Sequence, residues 1–196
     1  MSTALQEKEL VAADNGEEIT PEKLLEMPKD GPRYELIDGM LKEHPIGAES
    51  SLVGIKTLRI LGNHIQPRKL GKVFGSDCGY QAFPSKPKQV RYADGSFIAR
   101  GRLPDDKAPK GHVRIAPDLG FEVVSPNDTA DDIEARRIDF MSAGTRLFWV
   151  LYPEYRTVHV FRQDGNSAVL TENDELRGDD VLPEFTCKVA ELFEDA

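Results

Sequence analysis

Two carboxylates in strand-like segments are the side chains of this sequence best suited to chemistry. Glu122 lies within the apolar run Leu-Gly-Phe-Glu-Val-Val, and Asp94 directly precedes the run Gly-Ser-Phe-Ile-Ala. A carboxylate inside an apolar strand must be paired, exposed or bound to a metal, because its burial alone is costly. If the two strands are neighbours, both acids can bind one hard cation such as Mg2+. Such a cation would polarise a phosphoryl oxygen and activate water, which is the chemistry of phosphodiester hydrolysis.

A structural interpretation of the same acids stays open at this stage. Asp94 could cap a turn, and Glu122 could pair with an arginine. Asp118 lies on the same strand face as Glu122, because side chains alternate along a strand, and it is either a further group of the site or an exposed acid at the strand start. The four histidines lack the spacing of metal ligands, and the sequence contains neither a glycine-rich phosphate loop nor a nucleophilic-serine motif. Spacing alone does not decide between the two interpretations.

The elements that must position these acids follow from the hydrophobic pattern. Apolar residues at spacings of three and four predict a helix over 52–65, with Leu52 and Ile55 on the same face as Ile65. The pair Asp38-Gly39 predicts the turn of a short hairpin. The other predicted elements are helices at 20–27 and 130–143, strands at 72–74, 79–83, 96–99, 118–124, 146–151 and 157–162, and a hairpin at 167–171. This order indicates an α/β or α+β sheet with helices packed on it.

The composition limits where the protein works. Residues 1–18 are polar and acidic and are predicted to form a tail, which leaves 19–196 as a single domain. No apolar run approaches the roughly 20 residues of a membrane helix, and the first residues lack the features of a signal peptide. The two cysteines are far apart in the sequence, as in proteins that keep reduced thiols. These features predict a cytoplasmic protein that does not contact a membrane.

A basic segment interrupts an otherwise acidic chain. The net charge is -9, yet residues 56–114 contain 13 Lys and Arg against four Asp. A basic face is the electrostatic signature of binding to a phosphate backbone, so this segment is predicted to contact DNA. The alternative is that these charges are scattered over the surface and serve solubility.

Five segments in a fixed order give the sequence a family resemblance. They are Gly31–Gly39 after Thr20-Pro21-Glu22, then Arg91–Phe97, Pro117–Pro126, Ala143–Val150 and Leu176–Pro183. In order and spacing they resemble the Uma-two family of restriction-endonuclease-like proteins, within the PD-(D/E)XK nuclease superfamily. The resemblance covers roughly 20–195. It implies an α/β restriction-endonuclease-like core, in which helices flank a mixed central β-sheet, with extra N-terminal strands.

The resemblance also implies roles for particular residues. Asp94 and Glu122 would be the two metal-binding acids, and the carbonyl group of Val123 would complete the metal shell. Glu35 matches the acid that the family carries in its N-terminal part, where it would assist in binding the metal. The expected cofactor is Mg2+, with Mn2+ as the alternative.

One departure from the superfamily pattern concerns the catalytic lysine. Val124 stands two residues after the second acid, where lysine is typical. Resembling proteins usually carry that lysine on the next helix, four residues before an aromatic residue. In this sequence Arg136 stands four residues before Phe140, with Arg137 as the alternative. Arginine keeps the charge that binds phosphate, but it stays protonated and is a poor proton donor or acceptor.

Together these features predict a metal-dependent DNA endonuclease, with Asp94, Glu122, Arg136 and Glu35 as its catalytic residues. One alternative is a nuclease fold that is catalytically weak or inactive and acts as a nucleic-acid-binding or regulatory module. Another is a structural homodimer whose acids are only paired with other side chains. In a dimer, the apolar strand at 147–151 would be the contact.

Overall fold

A computed structural model describes residues 19–28, 32–43 and 47–194, so the predicted tail at 1–18 lies outside the described residues. The helices are α1 (Pro21–Glu26), α2 (Ala48–Arg68), α3 (Ala130–Ser142) and α4 (Val189–Phe193), and a 3-10 turn covers Pro104–Asp106. The first strands are β1 (Tyr34–Ile37), β2 (Met40–Glu43), β3 (Gly71–Gly75), β4 (Gly79–Tyr80), β5 (Arg91–Tyr92) and β6 (Gly95–Ala99). The later strands are β7 (Leu119–Val123), β8 (Leu147–Tyr152), β9 (Thr157–Arg162), β10 (Ser167–Leu170), β11 (Glu175–Arg177) and β12 (Thr186–Lys188).

A six-stranded mixed sheet forms the centre of the fold, in the order β10-β9-β8-β7-β6-β3. Strands β7 and β8 are parallel, and the other neighbouring pairs of this sheet are antiparallel. All five residues of β7 are buried, because this strand is internal to the sheet. The strand that carries Glu122 therefore lies beside β6, which Asp94 directly precedes. This arrangement confirms the mixed central sheet flanked by helices.

Helix α3 connects the two parallel strands and packs against the sheet. It begins at the predicted cap Thr129, whose hydroxyl accepts a hydrogen bond from the Asp132 amide at 3.1 Å. Phe140 packs the helix against the sheet: its ring stacks on that of Phe148 in β8, with 5.7 Å between the ring centres. Arg136 lies one turn before Phe140, so the same packing buries the arginine against the sheet.

Helix α2 packs on the sheet with a different face from the predicted one. Leu52 is 44% exposed and Ile55 is 62% exposed, so the prediction that they share a face with the buried Ile65 is wrong. Gly54 and Thr57 are buried instead. A polar Thr57 can be buried because its hydroxyl donates a hydrogen bond to the Val53 carbonyl within the helix, at 2.8 Å.

Strands β1 and β2 form the predicted hairpin around Asp38-Gly39. Both turn residues have a positive φ, 48° and 81°, which is the conformation that an Asp-Gly turn provides. Two backbone hydrogen bonds of 2.9 and 3.0 Å join Leu36 of this hairpin to Val90. The hairpin thereby places Glu35, the neighbour of Leu36, beside β5.

Strand β8 lies in the middle of the core. Its residues 147–151 are at most 1% exposed, and Trp149 is fully buried. The strand is hydrogen-bonded on both edges, to β7 and to β9. The prediction that 147–151 forms a dimer contact is therefore wrong, because packing within one chain already covers this strand.

In the part of the chain that the structure describes, no helix combines the length and apolarity needed to cross a membrane.

Cys78 and Cys187 are free thiols. Burial raises the pKa of Cys78 to about 11 and that of Cys187 to about 12, so neither thiol is a candidate nucleophile near neutral pH.

Candidate active site

Asp94 lies at the start of β6 and contacts the end of the neighbouring strand. Its Oδ2 accepts a hydrogen bond from the Val123 amide at 2.7 Å, directly after Glu122 in the chain. Gly95 lies opposite Phe121 in the antiparallel register. A Cβ on Gly95 would lie 2.4 Å from the Phe121 ring, so glycine allows the close approach of the strands beside Asp94. The two acids are therefore held by neighbouring strands.

Glu122 is a buried carboxylate with one oxygen in an ion pair. It is 1% exposed, and its Oε2 accepts a hydrogen bond from Nη1 of Arg136 at 2.8 Å. Its Oε1 is also buried and has no hydrogen-bond partner among the described residues. Burial raises the pKa of Glu122 well above its ordinary range, the charge of Arg136 opposes this, and Asp94 adds to it. Oε1 is thus a buried polar atom that a bound group would satisfy.

Arg136 connects two carboxylates across the site. Its Nη1 donates to Glu122, and its Nη2 lies 3.4 Å from Oε2 of Glu35. The side chain is 3% exposed. Burial lowers the pKa of this guanidinium, but Glu122 and Glu35 outweigh burial and raise the pKa above its usual value. Arg136 therefore supplies a fixed positive charge and hydrogen-bond donors, but it does not lose a proton near neutral pH and cannot act as a general acid or base.

Glu35 contacts two arginines. Its Oε2 accepts a hydrogen bond from Nη1 of Arg91 at 3.1 Å and lies near Nη2 of Arg136. Its Oε1 accepts a hydrogen bond from the Tyr92 amide at 3.0 Å. The carboxylate is 1% exposed. The hairpin thus brings Glu35 to the same site as Glu122, where it binds Arg136.

A group of polar side chains on the far side of Glu35 was missed by the sequence reasoning. We call it the Asp139 cluster, and it consists of Lys86, Gln89, Arg91 and Asp139. Asp139 Oδ2 accepts hydrogen bonds from Nε and Nη2 of Arg91, at 2.9 and 2.7 Å, and from the side-chain Nε2 of Gln89 at 2.8 Å. Nζ of Lys86 lies 3.3 Å from Asp139 Oδ1. One signal was available: Asp139 lies three residues after Arg136, on the same face of α3.

Asp128 is a second acid that the sequence reasoning did not single out. Its Oδ2 accepts hydrogen bonds from the backbone amide and the hydroxyl of Ser125, at 2.9 and 2.7 Å. Its charge acts on both Glu122 and Arg136. The signal that could have identified it is the short turn Ser-Pro-Asn-Asp directly after β7.

Two other candidate residues from the sequence, Arg137 and Asp118, do not contact Glu122. Arg137 pairs with Glu134, and its guanidinium lies 4.6 Å from the centre of the Phe161 ring. Asp118 is buried. Its Oδ2 lies 2.8 Å from Nη1 of Arg102 and accepts a hydrogen bond from the Ala99 amide at 2.8 Å. The interpretation of Asp118 as an exposed acid is wrong, because ion pairing compensates its burial.

Asp94 and Glu122 offer the kind of oxygen ligand that a hard divalent cation prefers. Among the described residues, no group of three or more His, Cys, Asp or Glu side chains is arranged to hold a metal ion. Mg2+ needs fewer, since it is commonly bound by one or two carboxylates and keeps several waters. Glu122 offers a buried oxygen that lacks a partner in the described structure, and Asp94 lies on the neighbouring strand segment. The chemistry of this donor set suits a hard divalent cation.

The basic segment 56–114 is divided among several environments. Arg91 is buried in the Asp139 cluster, and Arg102 pairs with Asp118. Arg114 lies near Glu22, and Arg100 lies 3.8 Å from Asp106. Part of the excess charge is therefore compensated by ion pairs within the chain, and of these four arginines only Arg91 is buried. Arg59, Arg68, Lys69 and Lys88 also lie on the exposed surface.

The architecture is shared with a solved structure. The crystal structure of a "putative nuclease belonging to DUF820" from Anabaena variabilis matches with a TM-score of 0.74 and 20% sequence identity. The match covers 89% of this chain and 97% of that chain, and it shows that the two share a fold.

The sequence itself identifies the family. Residues 21–190 match the Uma2 family, described as "Putative restriction endonuclease", so the chain belongs to that family. This confirms the resemblance found in the sequence. A search of curated proteins finds no match.

Proposed function

We propose that this protein is a divalent-metal-dependent endonuclease that hydrolyses phosphodiester bonds in DNA. The family is described as "Putative restriction endonuclease", and the fold is shared with a structure described as a "putative nuclease". The observation that carries the proposal is the state of Glu122: a buried carboxylate with one oxygen on Arg136 and the other without a partner in the described structure. A purely structural acid would have both oxygens satisfied, as Glu35 has.

In this proposal Asp94, Glu122 and the carbonyl group of Val123 hold Mg2+, or Mn2+ in its place. When bound, the cation would neutralise charge on the phosphoryl group and lower the pKa of a water molecule. The hydrogen bond from the Val123 amide to the Asp94 carboxylate links the two strands, so that the acids stay in place when the site binds its substrate.

Arg136 supplies the positive charge that the superfamily usually obtains from lysine. Two carboxylates hold its guanidinium beside Glu122, so it need not reorganise when negative charge develops on the phosphate. Because Arg136 stays protonated, it acts by charge and hydrogen bonding. The proton of the attacking water must then leave through water or a carboxylate.

DNA is the proposed partner, approached by exposed cations of the basic segment 56–114. Exposed lysine and arginine side chains release counterions when they bind phosphate, so affinity for DNA should fall steeply as salt is added. The acidic remainder of the chain opposes binding elsewhere on the surface, since the net charge is -9.

A catalytically weak nucleic-acid-binding module is the second candidate function. It is favoured by one observation, which is that Arg136 is held in ion pairs with Glu122 and Glu35. A group held in this way adds charge but cannot transfer a proton, and it competes with a cation for the Glu122 carboxylate. The variant Arg136→Lys separates the two candidates, since a gain in cleavage would mean that the native site is impaired.

The test is a nicking assay on supercoiled plasmid DNA with Mg2+ or Mn2+. Asp94→Asn and Glu122→Gln should each lower the rate by about a thousandfold, because a bound metal contributes several kcal/mol to catalysis. Glu134→Gln is the matched control, since Glu134 is an exposed acid on α3 that pairs with Arg137. Cleavage that survives both site substitutions would overturn the assignment of the site.

A further inference from the structure

The Asp139 cluster has no role in the proposed hydrolysis, yet it is buried directly behind the site. Arg91 is 4% exposed, Gln89 2% and Asp139 8%. Three of the Arg91 nitrogens are engaged: Nε and Nη2 with Asp139, and Nη1 with Glu35. Such a full set of contacts fixes the plane of the Arg91 guanidinium, because its donors project in fixed directions.

The Asp139 cluster is connected to Arg136 through one carboxylate oxygen of Glu35. Oε2 of Glu35 lies 3.1 Å from Nη1 of Arg91 and 3.4 Å from Nη2 of Arg136. The other oxygen of Glu35 is held by the Tyr92 amide. Arg136 and Asp139 lie three residues apart on α3, so the chain of contacts returns to the helix that carries Arg136. Residues of β1, β5 and α3 thereby hold the guanidinium group of Arg136 in one orientation.

Stability alone is a poor explanation for this arrangement. Burying an ion pair costs desolvation energy that the pair often fails to recover, and well-packed apolar residues are frequently as stable. An arginine side chain on one helix, by contrast, has several rotatable bonds and needs neighbours to select one orientation. The contacts are therefore better suited to orienting Arg136 than to stabilising the fold.

We infer that Arg91 is a positioning residue, which together with Asp139 fixes Glu35 so that Glu35 holds the Arg136 guanidinium against Glu122. Its effect on cleavage rests on the proposed function, whereas its effect on the orientation of Arg136 does not. Lysine cannot replace it, since one ammonium group cannot contact Asp139 and Glu35 in the same directions as a guanidinium.

The orientation is measured by NMR on protein with 15N-labelled arginine, in the absence of metal. The guanidinium signals of Arg136 are assigned by their loss in Arg136→Lys, and the rate of rotation about its Cζ–Nε bond is then followed. Arg91→Lys should make this rotation about tenfold faster, the change that loss of one hydrogen bond to a charged group would produce. Folding is checked by the methyl spectrum of the same sample.

Arg102→Lys is the matched control. Arg102 also pairs with a buried aspartate, Asp118, at 2.8 Å, but it lies outside the contacts of Arg136. It should leave the Arg136 signals unchanged. If Arg91→Lys does not fold, the double variant Arg91→Met with Asp139→Leu replaces it, because it leaves neither member of that pair buried without its partner. Glu35 keeps its contacts with Arg136 and the Tyr92 amide in this variant. Unchanged rotation of Arg136 in a folded variant would overturn the inference.

Cleavage kinetics separate this inference from the proposed function. With Mg2+ and plasmid DNA, Arg91→Lys should lower kcat and leave KM unchanged, because Arg91 is buried and does not meet the substrate. If the wild-type protein cleaves nothing, the proposed function fails, and the NMR measurement still decides whether Arg91 orients Arg136. If Arg136 becomes mobile while kcat is unchanged, a role for this orientation in catalysis is excluded.

Discussion

Glu122 combines an ion pair on one oxygen with a buried second oxygen that has no partner in the described structure. Burial raises its pKa even though Arg136 is adjacent, so the folded protein favours the neutral side chain more than water does. Because the folded state then binds the proton more tightly than the unfolded chain, stability should fall as the pH rises above the unfolded pKa of about 4.5. The penalty is fully present above the folded pKa.

The variant Glu122→Gln tests this consequence. Without metal, it should be more stable than the wild type at pH 8, because glutamine carries no charge whose burial is costly. The difference should shrink as the pH is lowered towards the unfolded pKa of about 4.5, because Glu122 takes up its proton over this range. Thermal unfolding in EDTA measures both values, with Glu134→Gln as an exposed control. A variant that is less stable at pH 8 would show that the ion pair with Arg136 outweighs burial.

At the scale of elements, the site depends on how closely β6 and β7 approach. A Cβ on Gly95 would lie 2.4 Å from the Phe121 ring and 2.7 Å from a Leu58 methyl group. Gly95→Ala should therefore destabilise the protein by about 1–3 kcal/mol, as overpacking does, and should weaken metal binding by displacing Asp94. Denaturant unfolding measures the first effect.

Gly62→Ala on α2 is the control for that substitution. A Cβ there would meet nothing closer than 4.0 Å, and alanine is the better helix former. It should stabilise the protein by about 0.5–1 kcal/mol. Equal effects of the two alanines would contradict the packing explanation for Gly95.

The local elements could be read from the sequence because their signals are local. The Asp38-Gly39 turn, the Thr129 cap and the strand around Glu122 all depend on neighbours in the chain. The orientation of α2 could not be read from the sequence. Leu52 and Ile55 are exposed because the helix turns Gly54 and Thr57 towards the sheet.

At the scale of the whole molecule, the site is assembled from distant segments. Glu35, Arg91, Glu122 and Asp139 come from four different elements, and ion pairs between them leave no periodic pattern in the sequence. The family resemblance supplied Glu35 and Arg136, whereas it implied no role for Asp139 or for Arg91, although Arg91 begins one of the matching segments.

The central claim is that Asp94 and Glu122 hold a divalent cation, and calorimetric titration with Mn2+ tests it most directly. The wild-type protein should bind Mn2+, Asp94→Asn and Glu122→Gln should each lose that binding, and Glu134→Gln should retain it. Absence of Mn2+ binding by the wild type, or equal binding by the site variants, would contradict the claim.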